Sequence, residues 1–384
     1  MPKTNRRWEH MKDLEIDADY LCRILKDLLD IPSPAGMTDQ AVGYVCHELE
    51  RLGIPFELTR LGAIRADLKG LQATPDRAIV SHVDTLGAVI KGFHAANDWP
   101  KLSPIGHWSA RFAEGARVTV FSDNDVRTTG TILPLKASGH TYGDEIDTQP
   151  AAWSNLELRL DARVTSEDDI RALGVHVGDI VAVHPEPIFT DTGFITSRHL
   201  DDKAGVAAVL AATKALRDHD VPLPMDCHLL FTIAEEVGRG ASHILYGDVA
   251  EMVSVDNGTI ASVQYTCDFG VTIAMQDSTG PFDWHLTRSL LGLCKRFDIE
   301  HSRDVFNHYR SDAAAALEAG NDIRTALVCF GLDASHGYER VHLDSLVALA
   351  RLLVLYAQSP ALFARDRDLL GPVGDLPPAE DDIA

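Results

Sequence analysis

The sequence has 384 residues, and its 35 basic and 57 acidic side chains give a formal charge of −22 at pH 7. A surface of that sign repels phosphate backbones and anionic lipid, which argues against nucleic acid and membranes as partners. Hydrophobic residues make up 45% of the chain, enough for a sizeable core, and a chain of this length usually folds as two domains.

The N-terminus does not resemble a targeting signal. Residues 1–11 are basic, but acidic residues follow them instead of the apolar stretch that a signal peptide requires. No run approaches the roughly 18 apolar residues that span a bilayer. The six cysteines form neither a CxxC pair nor a dense framework, so we expect reduced thiols and a cytoplasmic protein.

The first 90 residues follow an α/β pattern. Asp17 or Asp19 is placed to cap an amphipathic helix, and Thr38 is placed to cap the next one. β-type residues then run from 56 to 68, and residues 78–83 form an apolar stretch typical of a buried strand.

The pattern changes between residues 91 and 189. Short β-prone runs separated by Gly, Pro, Asn and Asp predict a small β-rich domain. Ser166 is placed to cap a brief helix that ends near residue 173. The β-prone runs are residues 116–121, 128–133, 156–160 and 180–183.

Strands alternating with long helices follow in residues 190–384 and predict a mostly parallel sheet flanked by helices. We therefore expect one α/β domain, made of residues 1–90 and 190–384, interrupted by a β-rich domain of residues 91–189. A docked or frayed tail is expected after about residue 360. The later helices are predicted at 203–216, 282–297 and 343–356, and the strands at 229–234, 252–255, 271–275 and 325–330. Asn257 and Gly258 are expected to form a turn after the strand 252–255.

Metal-seeking side chains follow apolar stretches at five places in the chain. In an open α/β sheet the carboxyl ends of parallel strands share one edge, so side chains that cap different strands meet there. Two imidazoles and several carboxylates suit two divalent cations bridged by a carboxylate and a water. The candidates are His82, Asp84, Asp201, Asp202, Glu235, Glu236, Asp256 and His336.

Some of these acidic residues also have ordinary structural explanations. Asp201 and Asp202 open an alanine-rich helix, where one aspartate serves as a cap but a second is not needed. The adjacent Glu235 and Glu236 end a buried strand, where they are either solvated or stabilised by cations. We assign Asp201 to bridge two metals, and we expect Lys203 to hold Asp202 or a nearby carboxylate.

His82 and Asp84 are two residues apart in a predicted strand, so their side chains point to the same face. A ligand imidazole commonly needs a carboxylate partner to fix its tautomer and orientation, and we assign that role to Asp84. His336 lies in a loop, where a lone histidine is more often a surface residue. A further polar cluster is expected either to contact substrate or, as the preferred interpretation, to form a solvated loop before a predicted helix; it consists of His308, Tyr309, Arg310 and Asp312.

Several short motifs occur in the order found in the M42 family of dinuclear-metal aminopeptidases, and the similarity extends over about residues 15–360. This resemblance implies a zinc-exopeptidase-like α/β fold with an inserted β-barrel-like domain. Two departures bear on substrate preference: Thr85 stands where an acidic residue is frequent, and HGYE replaces the commoner HSPxE. The motifs are SHVDTLG (81–87), VHVGDIV (175–181), HLDDKAG (199–205), EEVGRGA (235–241), VDN (255–257) and HGYE (336–339).

The resemblance also implies a role for each residue of the site. Glu235 is expected to be the general base and Asp84 the second carboxylate that supports catalysis. The expected cofactors are two divalent ions per subunit, with Zn²⁺ as the first expectation and Co²⁺ or Mn²⁺ as alternatives. The metal ligands are expected to be His82 with Asp256 on one ion, Glu236 with His336 on the other, and Asp201 between the two.

These roles predict an aminopeptidase that hydrolyses the N-terminal residue of short peptides. In this mechanism Glu235 takes a proton from a water held between the metals, the resulting hydroxide attacks the peptide carbonyl, and Glu235 returns the proton to the leaving amine. The resemblance further implies a homo-oligomer, a dodecamer, assembled through the inserted domain.

Other functions stay open at this point. A metal-dependent deacylase or dipeptidase of the related M20 or M28 groups would act on a small amidated or acylated peptide, although the early insertion argues against M20. The resemblance also extends to a bacterial M42 branch associated with acetylated glutaminylglutamine amide osmoprotectants. A glycosidase needs carboxylates about 5 to 9.5 Å apart that flank the bond, unlike the adjacent Glu235 and Glu236. A catalytically inactive metal-binding assembly protein would not require Glu235.

Overall fold

A computed structural model of the protein describes residue 8 and residues 10–363; the expected tail lies outside the described residues from residue 364 onward. No helix in the described ranges is both long enough and apolar enough to cross a bilayer. The helices are α1 (Ala18–Leu29), α2 (Asp39–Arg51), α3 (Ala110–Ala113), α4 (Gly139–Tyr142), α5 (Glu145–Thr148), α6 (Glu167–Ala172), α7 (Leu200–Asp218), α8 (Trp284–Arg296), α9 (Asp312–Glu318) and α10 (Leu343–Gln358).

The strands belong to three sheets. They are β1 (Phe56–Leu58), β2 (Ile64–Leu68), β3 (Asp76–His82), β4 (Gly87–Phe93), β5 (Pro100–Ile105), β6 (Arg117–Phe121), β7 (Arg127–Pro134), β8 (Leu156–Leu160), β9 (Ile180–Val183), β10 (Ile188–Phe189), β11 (Phe194–Ser197), β12 (Cys227–Thr232), β13 (Val249–Thr259), β14 (Val271–Asp277), β15 (Gly280–Pro281), β16 (His301–Val305), β17 (Arg324–Leu332) and β18 (Glu339–His342).

The largest sheet has the strand order β1-β2-β12-β3-β13-β17-β14-β15, with β16 beside β14. Its central strands β12, β3, β13 and β17 run parallel to one another. Alternate side chains of β3 enter different apolar clusters: Ile79 packs with the helices α1, α7 and α10, and Val80 packs with α9. Because this sheet is covered on both faces, the predicted α/β fold with a mostly parallel sheet is confirmed.

The inserted β-rich region forms a six-stranded antiparallel sheet in the order β5-β4-β9-β6-β7-β8. The end strands β5 and β8 approach each other, so the sheet nearly closes into a barrel. Across this gap the side chain of Asn97, in the loop before β5, donates to Glu157 of β8 at 2.6 Å. An apolar cluster of its own fills the interior. The strands of this sheet lie between Gly87 and Val183, and the predicted domain limits of 1–90, 91–189 and 190–384 stay a prediction.

Two of the predicted helix caps form side-chain hydrogen bonds and one does not. Asp17 accepts the backbone N–H of Tyr20 at 2.9 Å, and Ser166 forms a capping box with Asp169. Thr38 occupies the N-cap position of α2 as predicted, and its backbone oxygen accepts from Val42 at 3.0 Å, but its side chain makes no cap bond. Its φ of −109° and ψ of −3° lie near the helical region, whereas a capping residue usually needs an extended backbone.

The strand β13 is longer than the sequence indicated. It pairs with β17 from Glu251 to Thr259, so Asp256 lies within the strand and not after it. A turn was expected at Asn257 and Gly258, and this expectation was wrong. The backbone is closely packed there, because a Cβ on Gly258 would lie 2.9 Å from the Cβ of Cys329.

Candidate metal centre

The predicted site residues converge at the carboxyl edge of the parallel strands. His82 ends β3, Asp256 lies near the end of β13, and Asp201 lies at the start of α7. The two adjacent glutamates follow β12, and the second histidine lies in the loop between β17 and β18. The fold thus brings together side chains that are far apart in the sequence, as expected for an α/β sheet of this kind.

Asp201 lies between the two histidines. Its Oδ1 is 3.2 Å from Nε2 of His82, and its Oδ2 is 3.2 Å from Nε2 of His336. Only 4% of the Asp201 side chain is exposed. One carboxylate therefore presents a separate oxygen to each imidazole, which is the arrangement that a bridging ligand requires.

Further carboxylates approach each histidine. Glu236 Oε2 lies 3.5 Å from Nε2 of His336, and Glu235 Oε2 lies 3.9 Å from Nε2 of His82. The ligand atoms of His82, Glu235 and Asp256 lie within 4.8 Å of one another, as do those of His82, Asp201 and Glu236. Glu236 Oε1 is also buried without a hydrogen-bond partner among the described residues. This donor set fits divalent cations.

Both imidazoles are oriented by backbone carbonyls. Nδ1 of His82 lies 2.9 Å from the backbone oxygen of Asp84, and Nδ1 of His336 lies 2.8 Å from the backbone oxygen of His107. When each Nδ1 carries the proton and donates to its carbonyl, the lone pair of Nε2 is directed into the cluster. His107 lies in the loop between β5 and α3, which belongs to the inserted region, so both parts of the fold contribute to the site.

The carboxylate of Asp84 contacts the turn that carries the two glutamates. Asp84 is fully buried, and its two oxygens accept the backbone N–H groups of Glu235 at 3.1 Å and Glu236 at 3.2 Å. Its Oδ1 is farther from Nδ1 of His82, at 3.6 Å. The side chain thus orients the glutamates directly, and its backbone oxygen orients His82.

The side-chain hydrogen bonds of Asn257 were not predicted from the sequence, in which this residue was expected only to form a turn. Its side-chain Nδ2 donates to Asp201 Oδ2 at 2.8 Å and to Asp256 Oδ1 at 3.1 Å. The amide therefore holds two carboxylates that would otherwise repel each other. An asparagine next to an aspartate in an otherwise apolar stretch was the signal that could have indicated this role.

Asp202 and Lys203 do not pair as expected. Asp202 Oδ2 accepts the hydroxyl of Ser81 and, at 3.1 Å, the backbone N–H of His82. Lys203 instead donates to the backbone oxygens of Leu28 at 2.9 Å and Ile31 at 2.6 Å. Leu28 lies in the last turn of α1, where carbonyls have no intrahelical donor, and Ile31 follows the helix, so both oxygens are available to the ammonium group.

The preferred interpretation of the polar cluster His308, Tyr309, Arg310 and Asp312 as a solvated loop was wrong for two of its members. Asp312 is only 2% exposed and accepts the hydroxyl of Thr232 at 2.7 Å, because α9 packs beneath the turn that follows β12. The Tyr309 hydroxyl is buried and has no hydrogen-bond partner among the described residues. His308 is exposed, as expected.

Burial and mutual repulsion raise the proton affinity of most carboxylates at the site. Burial raises the pKa of Glu235 and Glu236 well above the usual range and raises the pKa of Asp256 to about 7. For Asp201, hydrogen bonds from His336 and His82 outweigh burial, and its pKa is lowered. In the absence of cations, Asp201 therefore stays ionised, whereas the other three carboxyls bind protons more readily than usual. Bound cations would displace those protons.

The imidazole of His336 also has a raised proton affinity. Burial alone lowers the pKa of His336, but the charge of Glu236 and the hydrogen bond to Asp201 raise it to about 11. Negative charge thus dominates the potential at the site, and this potential attracts cations.

Comparisons with known proteins agree with this architecture. A family model described as M42 glutamyl aminopeptidase matches residues 62–352. The putative aminopeptidase YhfE of Bacillus subtilis is 36% identical over 337 residues, covering 88% of this chain and 97% of that protein.

Two solved structures have a similar fold. The TET aminopeptidase of a marine sediment Thaumarchaeota archaeon superposes with a TM-score of 0.79 at 17% identity, covering 89% of this chain and 97% of the other. The TET1 peptidase of Pyrococcus horikoshii, which can assemble into a tetrahedron or a large octahedral shell, gives a TM-score of 0.74 at 21% identity. This superposition covers 88% of the present chain and 99% of the Pyrococcus horikoshii chain.

Proposed function

This chain belongs to the M42 glutamyl aminopeptidase family, and we propose that it is a dinuclear-metal aminopeptidase that removes the N-terminal residue of short peptides. Family membership makes it a metal-dependent hydrolase of the aminopeptidase type. The observation that carries the finer proposal is the position of Asp201, which offers one oxygen to His82 and the other to His336.

The proposed ligand sets follow these contacts. Asp201 would be shared by two divalent ions, and each ion would also have one histidine and one further carboxylate. His82 and Asp256 would hold the first ion, which agrees with their shared cluster of ligand atoms. Glu236 and His336 would hold the second ion, and their 3.5 Å separation supports this pairing. Zn²⁺ is the first candidate, with Co²⁺ and Mn²⁺ as alternatives, because imidazole and carboxylate ligands suit all three.

Glu235 is the proposed general base. When bound, two divalent cations polarise a peptide carbonyl and lower the pKa of water. Glu235 Oε2 lies beside the His82 end of the cluster and takes the proton of the attacking water. Its burial favours the protonated carboxyl, which then gives the proton to the leaving amine. Asp84 keeps Glu235 in place through the backbone N–H.

We also propose that the protein forms a homo-oligomer, a dodecamer in the form that the family resemblance implies. The similar fold of the TET1 peptidase, which assembles into closed shells, supports this proposal. Assembly through the inserted barrel-like sheet and a cytoplasmic location stay predictions.

The proposed reaction is tested by digesting peptide substrates with metal-reconstituted protein. The panel contains short free peptides, the same peptides with an acetylated N-terminus, and amidated glutaminyl peptides. We expect release of one N-terminal residue at a time from free peptides, no release from acetylated ones, and loss of activity with a chelator. Release of acetate or of an acylated residue would instead indicate a deacylase.

A further inference from the structure

Glu339 is a buried glutamate that no step of the proposed mechanism uses. It ends the HGYE motif and begins β18, and only 1% of the residue is exposed. Within the described part of the chain it forms no ion pair. A buried carboxylate without a cationic partner is costly unless hydrogen bonds compensate for its desolvation.

The hydrogen bonds of Glu339 go to two metal-ligand residues. Its Oε1 accepts the backbone N–H of His336 at 2.9 Å, and its Oε2 accepts the backbone N–H of Asp201 at 3.2 Å. One rigid carboxylate thus joins two segments that are far apart in the sequence. Asp201 contacts both ends of the cluster, whereas His336 belongs only to the Glu236 end.

Both backbone segments need an external acceptor to hold them. Asp201 has non-helical backbone angles of −71° and 108° at the start of α7, so its N–H has no partner within the helix. His336 has a φ of +65°, in the left-handed region that non-glycine residues rarely adopt. Such a conformation persists when the surrounding contacts over-determine it, and Glu339 supplies one of those contacts.

We propose that Glu339 is a positioning residue that sets the distance between the bridging aspartate and the second histidine, and thereby controls the affinity for the second metal ion. The proposal rests on the dinuclear function proposed above. It assigns no contact with substrate to Glu339. Because Glu339 holds both His336 and the shared Asp201, the ion held by Glu236 and His336 depends on this residue more strongly than the ion held by His82 and Asp256, which shares only Asp201.

The test is calorimetric titration of the chelator-treated full-length protein with Zn²⁺. The wild-type protein should bind two ions per subunit. In Glu339→Gln, one oxygen acceptor is replaced by an NH₂ group that cannot accept, so one of the two backbone donors loses its partner. We expect the binding step that Glu236→Gln also weakens to lose about 10- to 100-fold in affinity, while the other step changes by less than about threefold.

A matched control is Glu157→Gln. Glu157 is also 1% exposed and accepts from Asn97 and Arg159, but it lies in the barrel-like sheet and contacts no metal-ligand residue. This variant should bind both Zn²⁺ ions as the wild type does. Glu339→Asp, which keeps the charge but shortens the side chain, should show the same selective loss as Glu339→Gln.

The outcomes separate the two proposals. A wild-type protein that binds fewer than two ions contradicts the dinuclear function itself. If the wild type binds two ions, then unchanged binding in the Glu339 variants, or an equal loss at both steps, overturns only the positioning role. Glu339 variants that no longer fold in metal-free form by circular dichroism would show that the residue stabilises the fold in general, which also overturns the proposal.

Discussion

Asp84 contacts His82 through its backbone oxygen, at 2.9 Å from Nδ1, more closely than through its carboxylate, at 3.6 Å. The carboxylate is thereby available for the backbone N–H groups of Glu235 and Glu236. A single residue thus orients an imidazole with its main chain and two glutamates with its side chain. Substitution of the side chain should consequently affect the glutamates more than the histidine.

Replacing Asp84 by Asn should lower kcat by about 10- to 100-fold. The amide nitrogen cannot accept, so one of the two glutamate N–H groups loses its partner. The backbone contact to His82 remains, so Zn²⁺ should still bind to the variant. Steady-state kinetics with a leucyl or glutamyl anilide, together with metal analysis, measures both effects. Loss of bound Zn²⁺ with unchanged turnover would contradict the expected role of the Asp84 side chain.

The two adjacent glutamates should behave differently when each is changed to Gln. Glu235→Gln should keep both ions and lose about 10²- to 10⁴-fold in kcat, because the base is removed while the ligands stay. Glu236→Gln should instead lose affinity for one ion, because its side chain approaches His336. Metal content after dialysis separates the variants. Comparable turnover in Glu235→Gln and the wild type would show that another group acts as the base.

The stability of the metal-free protein should fall as the pH rises from about 4 to 7. Burial raises the pKa of Asp256 to about 7 and that of Asp312 to about 6, from an ordinary value of 3.8. The folded state therefore binds more protons than the unfolded state in this range, and these groups contribute stability that is lost as the pH rises through the folded pKa.

Metal ions should reverse this trend, because they compete with the same protons. Thermal denaturation at pH 5 and pH 7, with chelator or with Zn²⁺, measures both effects. The stabilisation by Zn²⁺ should be larger at pH 7. A chelated protein that melts at a higher temperature at pH 7 than at pH 5 would be inconsistent with the raised pKa values.

Gly240 should tolerate alanine less well than its neighbour Gly238. A Cβ on Gly240 would lie 1.6 Å from Oδ1 of the buried Asp312, whereas one on Gly238 meets no atom within 4 Å. Gly238→Ala should cost about 1–2 kcal/mol, because its φ of +75° is left-handed. Gly240→Ala should cost a further 1–3 kcal/mol, roughly, from overpacking. Urea unfolding of both variants gives the comparison, and equal losses would show that Asp312 moves away freely.

Sedimentation velocity tests the proposed assembly. We expect a single large species whose mass corresponds to a dodecamer of the 41.9 kDa chain. A monomer at micromolar concentration would contradict the homo-oligomer, and a discrete smaller oligomer would contradict only the dodecamer.

The sequence predicts the fold well because the signals are local. Apolar runs that end in polar residues identify the strands, and the shared edge of a parallel sheet then brings His82, Asp201 and His336 together. Their assignment to particular ions stays a prediction. What the sequence did not reveal are contacts between a side chain and a distant backbone, such as those of Lys203 and Glu339. The partner of such a side chain depends on the direction in which it points in the folded protein, and a local sequence pattern does not predict that direction.

The carbonyl of His107 has a consequence for how the chain can be altered. His107 lies in the loop that follows β5 of the inserted sheet, yet its carbonyl orients Nδ1 of His336 at 2.8 Å. The adjacent Gly106 lies so close to Glu236 that a Cβ there would be 3.3 Å from the Glu236 backbone oxygen. The insertion is therefore not an interchangeable module. Excising it, or grafting it from a relative with a different loop, would leave the rest of the fold with a histidine whose proton is no longer fixed to one nitrogen.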